Sequence, residues 1–280
     1  MKLKLSALAV LAAFAAGAQA ASTPIGAGGV AATIDENGSF DISVATGLSY
    51  LGVEFVNIDT RAAWWTFGNS TGYTTAAYGS NPLLSTTYGA GPAATTTLAF
   101  GTLSFFQTAS IVSSNQLAVT ASFTNNSAST LKGMYYGVGF DPDQGGHLRN
   151  ATSNTVNAQG PGASVTAVRD NGRLNYFVTL ANTTSASAHA IEAYVNLGNC
   201  CGVVDPQSVI TTAGSQLGFQ SYADDSISLA YELGDIAPGQ TVSVGYSYTF
   251  ATTPVPEPES YALFLAGLGL MGLIARRRSA

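Results

Sequence analysis

The sequence predicts an all-β fold, a many-stranded antiparallel β-sandwich, flanked by an N-terminal signal helix and a short C-terminal apolar helix. Apolar and polar residues alternate with a period of two in many segments, and turn residues separate these segments. Thr, Ser, Gly, Val and Tyr are plentiful, whereas Lys and Glu are scarce. Such alternation is typical of strands with one buried face, and this composition favours strands over helices. No long segment between the two ends has a helical period.

The clearest strand patterns occur in four segments. In residues 40–44, Phe, Ile and Val alternate with Asp and Ser, and Gln116–Phe123 places Leu, Val, Ala and Phe on one face. Ile227–Leu233 and Thr241–Phe250 alternate in the same way. Further predicted strands, in chain order, are Tyr50–Ile58, Thr95–Gln107, Leu131–Phe140, Ala163–Val168, Arg173–Leu180 and Ala188–Asn196.

Turn residues lie between these segments. Asp170-Asn171-Gly172 separates two strand patterns and predicts a hairpin, because Asn and Gly tolerate the positive φ that tight hairpin turns require. Residues 68–92 are rich in Gly, Thr and Tyr without clean alternation, which predicts a long surface excursion. Other turn signals are Glu36-Asn37-Gly38, Asn125-Asn126-Ser127 and Ala237-Pro238-Gly239.

The N-terminus is typical of a secretory signal. Lys2 and Lys4 precede an apolar stretch, Leu5–Ala16, which contains no charge. Ala18 and Ala20 supply the small side chains that signal peptidase accepts, which favours cleavage after Ala20. Residues 1–20 are therefore predicted to be a signal peptide.

The C-terminus has three adjoining parts. Residues 254–259 (PVPEPE) are predicted to be extended, because proline lacks an amide donor and disfavours helix in the residue before it. Residues 261–275 are apolar and uncharged, and as a helix they would span about 22 Å of a hydrocarbon core about 30 Å thick. Snorkelling of Arg276, Arg277 and Arg278, together with local thinning of the bilayer, would close that gap and hold the tail transiently in the inner membrane with the body outside.

The order of these parts resembles the PEP-CTERM sorting signal of exopolysaccharide-producing Gram-negative bacteria. Pro256-Glu257-Pro258, the Gly- and Leu-rich span and the arginine cluster carry the resemblance. It implies that exosortase, a membrane protease-transpeptidase, recognises the tail and cleaves near Pro-Glu-Pro, and that the protein reaches the cell surface or the extracellular polysaccharide matrix. A plain C-terminal anchor without processing is the alternative.

The body, residues 21–253, is predicted to be one domain, because it has neither an internal repeat nor a break in composition. Within it, residues 136–250 resemble a β-sandwich module of large secreted bacterial surface and adhesin-like proteins. Short motifs carry this resemblance: Phe140-Asp141-Pro142-Asp143-Gln144, Asn154-Thr155-Val156, Asp224-Asp225-Ser226, Tyr231-Glu232-Leu233-Gly234 and Ala237-Pro238-Gly239-Gln240.

Charge and cysteine content exclude several classes of protein. The body carries five basic and 14 acidic side chains, a net charge of −9, which argues against nucleic acid as a partner because binding it needs clustered Lys and Arg. Two cysteines are too few for a disulfide scaffold or a zinc module. With 46% hydrophobic and only 9% charged residues, the chain is also unlike an intrinsically disordered protein.

Residues suited to nucleophilic catalysis are few. His147 and His189 are the only histidines, and no Gly-x-Ser-x-Gly motif is present. We therefore predict an exported protein without catalytic activity, which acts as a structural or interaction component of the surface or matrix. The alternative is a secreted hydrolase of polysaccharide that uses paired carboxylates, with Asp141 and Asp143 or Asp224 and Asp225 as the candidates.

Asp141 and Asp143 are predicted to bind Ca²⁺. Residues 141–146 (DPDQGG) place two carboxylates and an amide on a loop that glycines allow to bend, and Ca²⁺ prefers such oxygen ligands. The motif differs from an EF-hand, because Thr152 stands where a bidentate Glu is needed. Alternatively, the two aspartates cap a turn by accepting backbone amides. No other cofactor is predicted.

Two further pairs are candidates for function. Trp64 and Trp65, with Phe67 and Tyr73 nearby, form an aromatic group that suits contact with sugar rings, although on a strand the two tryptophans point to opposite faces and one is expected to fill the core. Extracellular polysaccharide is accordingly an expected partner. Cys200 and Cys201 are adjacent, which favours a vicinal disulfide over two free thiols or a bond to another chain.

Overall fold

The computed structural model describes residues 22–41, 44, 47–56, 63–77, 84–143, 152–157, 159–170, 174–184, 190–212 and 216–254. The strands form three antiparallel sheets. The predicted all-β antiparallel architecture is therefore confirmed. The predicted helices at residues 1–20 and 261–275 lie outside the described residues, and within those residues no helix has the length and apolarity needed to span a membrane.

The largest sheet has nine strands in the order β16-β12-β13-β14-β18-β10-β9-β8-β7. Their bounds are β7 (Leu84–Ala90), β8 (Ala93–Phe100), β9 (Leu103–Ser113), β10 (Gln116–Asn125), β12 (Thr152–Asn157), β13 (Ser164–Asp170), β14 (Leu174–Asn182), β16 (Gln220–Ser221) and β18 (Thr241–Pro254). The last strand of the body, β18, therefore lies inside the sheet, paired with β14 on one edge and β10 on the other.

Two smaller sheets complete the architecture. The five-stranded sheet has the order β15-β17-β11-β5-β6, with β5 (Ala63–Asn69), β6 (Gly72–Ala77), β11 (Leu131–Phe140), β15 (Ile191–Asn196) and β17 (Ser226–Ile236). The four-stranded sheet contains β1 (Thr23–Ala27), β2 (Val30–Ile34), β3 (Leu48–Tyr50) and β4 (Val53–Glu54) in chain order. A 3₁₀ turn spans Gly160–Gly162 and one helix, α1, spans Pro206–Thr212.

Aromatic side chains fill the space between the nine-stranded and five-stranded sheets. Trp65 of β5 stacks on Phe105 of β9, with ring centroids 4.8 Å apart, and Phe67 stacks on Phe123 of β10 at 4.6 Å. The four-stranded sheet joins the same core. The sandwich is thus held by apolar burial, the dominant favourable term in folding.

A polar turn enters this core between β2 and β3. Asp35 accepts hydrogen bonds from the backbone amides of Asn37 and Ser39, each at 2.8 Å, and burial raises its pKa to about 7. The indole of Trp65 donates to the Asn37 carbonyl at 2.8 Å, and Gln107 donates to the Gly38 carbonyl at 2.6 Å. These bonds satisfy the backbone of a turn that water does not reach.

Hydroxyl groups cover much of the outer face of the nine-stranded sheet. Cross-strand pairs lie 2.8 Å apart, joining Ser122 to Ser243, Thr124 to Thr241 and Thr166 to Thr179. Such pairs contribute a few tenths of a kcal/mol each, up to about 1 kcal/mol. Because the chain has few charged residues, the hydroxyl groups of Ser and Thr provide much of the contact between this sheet and water.

Several predicted strands agree with the structure. Leu131–Phe140 coincides with β11, and Gln116–Phe123 and Thr241–Phe250 lie within β10 and β18. The predicted hairpin is confirmed in its pairing, since Asp170 faces Asn175 across β13 and β14.

Other predictions from the sequence are wrong. Thr95–Gln107 is not one strand but parts of β8 and β9, joined at Gly101, whose φ of 61° lets the chain reverse. Residues 68–92 are not a surface excursion, because they contain the whole of β6 and β7.

Two predicted strands near β3, and the segment at α1, also differ from the structure. The predicted strand Tyr50–Ile58 is interrupted by a turn at Leu51. In the predicted strand at residues 40–44, Phe40 forms an isolated β-bridge to Ile34 instead of a ladder. Helix α1 was not predicted. Its start has a recognisable signal, because the Asp205 side chain accepts the Gln207 amide at 3.0 Å and Pro206 occupies the first turn.

Candidate functional site: an acidic cluster beside a cysteine pair

Three strand ends meet at one end of the five-stranded sheet. β11 and β17 pair with Phe140 facing Ile227, and β15 and β17 pair with Asn196 facing Ser226. The segments that follow β11 and β15 therefore lie beside the segment that precedes β17. This convergence assembles the candidate site.

Three carboxylates from two of these segments lie together. One carboxylate oxygen from each of Asp141, Asp143 and Asp224 lies within 4.8 Å of the others. Asp141 and Asp143 follow β11 and are 3% and 4% exposed, whereas Asp224 precedes β17 and is exposed. The predicted pair Asp141 and Asp143 is thus joined by a third carboxylate that the sequence analysis had placed in a separate pair.

Asp225, the neighbour of Asp224, has a structural role. Its carboxylate accepts the backbone amide of Gly198 at 2.7 Å and the hydroxyl of Ser221, and its side chain is buried. These bonds tie the loop after β15 to the start of β17. The predicted pairing of Asp224 with Asp225 as two catalytic carboxylates is therefore not favoured.

Asp141 is a buried carboxylate without a hydrogen-bond donor among the described residues. Burial, reinforced by the negative charges of Asp143, Asp224 and Asp225, raises its pKa to about 8. The Sγ of Cys201 lies 3.7 Å from its Oδ2, and a sulfur in a disulfide has no hydrogen to donate. Because burying an uncompensated charge is costly, this carboxylate needs either a proton or a cation.

The cysteine pair forms one wall of the site. Cys200 and Cys201 are bonded to each other, and the Asn199 side chain closes the turn by accepting the Gly202 amide at 2.7 Å. One sulfur of each cysteine lies within 4.8 Å of an Asp141 oxygen. The bonding state of this pair in the exported protein stays a prediction, which mass measurement before and after reduction decides.

The prediction that Trp64 or Trp65 contacts sugar is wrong. The two side chains do point to opposite faces of β5, yet they are 2% and 1% exposed. Trp65 lies in the core, and the ring of Trp64 lies against Gly139, where a Cβ would come within 2.5 Å of it. Tyr73 on the neighbouring strand is the exposed aromatic residue of this group, at 43%.

The remaining candidates lie outside the described residues. These are Ala18 and Ala20 of the signal, Pro256, Glu257, Pro258, Arg276, Arg277 and Arg278 of the tail, Gln144 of the acidic loop, and His147 and His189. Asp224 is the functional candidate that the sequence analysis did not join to Asp141. The sequence does not show that β11 pairs with β17, and this pairing is what places the two Asp-containing motifs side by side.

The comparison with family models resolves the role of the tail. Residues 254–278 match the PEP-CTERM protein-sorting motif. The chain carries a PEP-CTERM sorting signal. It is therefore an exported protein of the kind that exosortase sorts, and the resemblance noted in the sequence is confirmed. A comparison with curated proteins gives no match.

Several solved structures similar to the chain are carbohydrate-active enzymes. A protein assigned as an aldose 1-epimerase from Escherichia coli K12 is 11% identical, with a TM-score of 0.45 over 82% of this chain and 99% of its own. A bacterial glucoamylase complexed with acarbose is 13% identical, with a TM-score of 0.45 over 86% of this chain and 32% of its own. A polysaccharide lyase is 14% identical, with a TM-score of 0.38 over 68% of this chain and 25% of its own.

These neighbours contradict the prediction that the chain is not an enzyme. That prediction rested on the absence of catalytic motifs, whereas the three neighbours named above are carbohydrate-active enzymes. The prediction is withdrawn. With TM-scores below 0.5, these likenesses assign no activity to the chain.

Proposed function

We propose that the PEP-CTERM protein is delivered to the cell surface or the extracellular matrix in two processing steps. Signal peptidase removes residues 1–20, the apolar segment 261–275 holds the tail transiently in the inner membrane, and exosortase cleaves near Pro256-Glu257-Pro258. The match of residues 254–278 to the sorting motif supports this route.

Mass spectrometry of the mature protein tests the route. We expect an N-terminus at Ala21 and loss of the apolar segment and the arginine cluster, because both ends are recognised by membrane proteases. Replacing Pro256, Glu257 and Pro258 with alanine is expected to leave the tail attached and the protein in the membrane fraction. An intact tail on the wild-type protein at the cell surface would instead indicate a plain anchor.

We propose that the body of this exported protein binds one calcium ion through Asp141, Asp143 and Asp224. The carrying observation is the Asp141 carboxylate, which is 3% exposed, receives no hydrogen bond from the described residues and lies within 4.8 Å of two other carboxylates. A divalent cation would neutralise this negative charge, and hard oxygen ligands are those that Ca²⁺ prefers.

Calcium is expected to raise the melting temperature of the purified exported protein. Binding only to the folded state stabilises it by about 2.7 kcal/mol at a free ligand concentration 100 times Kd. For a body of this size that corresponds to a rise of several degrees in Tm. Asp143→Ala is expected to abolish the rise, and calorimetric titration with calcium measures the stoichiometry and Kd directly.

Asp235→Ala is the matched control, because it removes an exposed carboxylate whose partner is Lys132, at 2.6 Å, on the surface. This variant should retain the full calcium response. An unchanged Tm together with a flat calorimetric titration of the wild-type protein would exclude the calcium site. Magnesium serves as a second comparison, since it demands octahedral geometry at shorter distances and keeps its waters.

A second candidate function is hydrolysis of polysaccharide at the same cluster. The observation that favours it is the pKa of Asp141, raised to about 8 by burial, because a carboxyl that is protonated at neutral pH can act as a general acid beside an exposed carboxylate, here Asp224. Release of reducing ends from polysaccharide in the presence of chelator, lost in both Asp141→Asn and Asp224→Asn, would establish hydrolysis. Absence of release from the wild-type protein, with calcium binding intact, favours the metal site.

A further inference from the structure

A groove of about 470 Å³ opens at the edge of the five-stranded sheet, where the β5–β6 hairpin approaches the turn between β8 and β9 and the start of β11. None of the described residues that line it is Asp, Glu, Lys, Arg or His. Its volume lies within the range of small-molecule sites in proteins, about 300 to 1,000 Å³. Its lining includes Phe67, Asn69, Thr71, Tyr73, Thr102 and Met134.

The wall of the groove presents one aromatic ring. Tyr73 is 43% exposed and pairs with Gly68 across the hairpin. A Cβ at Gly68 would lie 2.5 Å from the Cβ of Tyr73. Only glycine at position 68 therefore leaves room for the Tyr73 side chain. A larger residue at position 68 would displace Tyr73 from its place at the groove.

The floor of the groove and the tip of the β5–β6 hairpin are both fixed by contacts within the protein. Phe67 is 5% exposed and stacks on Phe123 of the core. At the tip, the Asn69 side chain accepts the backbone amide of Thr71 at 3.0 Å and donates to the Lys132 carbonyl at 3.3 Å. The groove thus has an apolar floor on a packed core and a braced rim, which limits the entropy lost when a ligand binds.

Hydroxyl groups along the groove are available to a ligand. Within the part of the chain that the structure describes, the hydroxyls of Tyr73, Thr74 and Thr102 make no hydrogen bond to protein. Each can both donate and accept. An exposed aromatic face beside several such hydroxyls matches a sugar ring, which has apolar C–H faces and polar edges.

We infer that this groove binds a neutral polysaccharide through stacking of a sugar ring on Tyr73. Charge selects the neutral class, because the lining carries no basic side chain and the body has a net charge of −9, which repels anionic polymers. Hydroxyls and an aromatic ring replace the charged contacts that an acidic polymer would need. Tyr73 provides the surface ring that Trp64 and Trp65 do not.

The groove is separate from the acidic cluster. It touches Leu131 and Met134 at the start of β11, whereas Asp141 follows the end of that strand. The seven residue-to-residue steps from Met134 to Asp141 span about 23 Å of extended chain. Binding in the groove is therefore expected to persist in chelator, so that failure of this inference and failure of the calcium site give different results.

Affinity electrophoresis and a pull-down assay test the groove with the purified exported protein. We expect retardation by dextran in a native gel or retention on cellulose, both neutral polymers, and none by alginate, an anionic one. Tyr73→Ala is expected to weaken binding about tenfold, since a stacked aromatic ring is lost, whereas Tyr73→Phe retains most of it. Unchanged near-UV circular dichroism shows that the variants are folded.

Tyr222→Ala is the matched control, because Tyr222 is 74% exposed and lies outside the groove. It should bind as the wild type does. Absence of binding to both dextran and cellulose overturns the inference, as does equal binding by Tyr73→Ala and the wild type. Loss of binding in Phe106→Ala instead, at a residue 48% exposed on the outer face of the nine-stranded sheet, would move the site to that face.

Discussion

Trp65→Ala is expected to lower the free energy of unfolding by about 4 to 8 kcal/mol, the largest effect of any substitution considered. Removing a buried Trp costs about 3 to 5 kcal/mol through lost burial and the cavity left behind. Trp65 is 1% exposed and stacks on Phe105, so both contributions apply in full. The variant also leaves the Asn37 carbonyl without its 2.8 Å indole donor inside the core, which adds about 1 to 3 kcal/mol.

Urea denaturation followed by circular dichroism measures this loss. Typical domains are stable by about 5 to 15 kcal/mol, so a large fraction of the variant is expected to unfold under ordinary conditions. Trp65→Phe keeps an aromatic ring but not the indole donor, and it should retain about half of the lost stability. A cost below about 2 kcal/mol for Trp65→Ala would contradict the central position of this side chain.

Asp141→Asn is expected to stabilise the calcium-free protein at neutral pH. The pKa of Asp141 is raised from 3.8 to about 8. Between pH 4 and pH 8, the folded state therefore keeps a proton on this carboxyl that the unfolded state has already lost. Stability from this group is therefore full below pH 4 and falls as the pH rises towards 8. At pH 7 the carboxyl costs up to about 4 kcal/mol, and the net gain from the amide is about 2 kcal/mol because a buried amide also lacks partners.

The measurement is the unfolding free energy in EDTA at several pH values from 4 to 9, compared between variant and wild type. The difference should grow with pH up to about 8 and then level off. Asp235→Asn provides the opposite case, because hydrogen bonds from Lys132 and the Gly133 amide hold the pKa of Asp235 below its usual value. A pH-independent difference for Asp141→Asn would show that this carboxylate has a compensating partner in the folded protein.

The alternation of side chains allowed much of the architecture to be predicted. β10 and much of β18 bury one face and leave the other partly exposed, so a period of two appears directly in their sequences. β6 was not predicted, because the segment Gly72–Ala77 lies at the edge of a sheet and is composed of small and hydroxyl-bearing residues. Edge strands need less apolar alternation, since one side of the ladder is open.

The candidate site was only partly predictable for a different reason. Asp141 and Asp143 are close in sequence, and their loop suggested oxygen ligands. Asp224 joins them only through the pairing of β11 with β17, a contact between residues about 80 positions apart that no local pattern reveals. The tryptophans illustrate the converse, because a conspicuous aromatic pair in the sequence turned out to be buried on both faces of β5.

The position of β18 has a mechanical consequence for a body whose sorting signal begins at the end of this strand. A force applied at Pro254 pulls along the axis of this strand, which is hydrogen-bonded to β14 on one edge and to β10 on the other. Both antiparallel ladders are then loaded in shear, so several hydrogen bonds must break at the same time instead of one after another. A body joined to the cell through its C-terminus would thus resist extraction by flow more strongly than one joined through an edge strand.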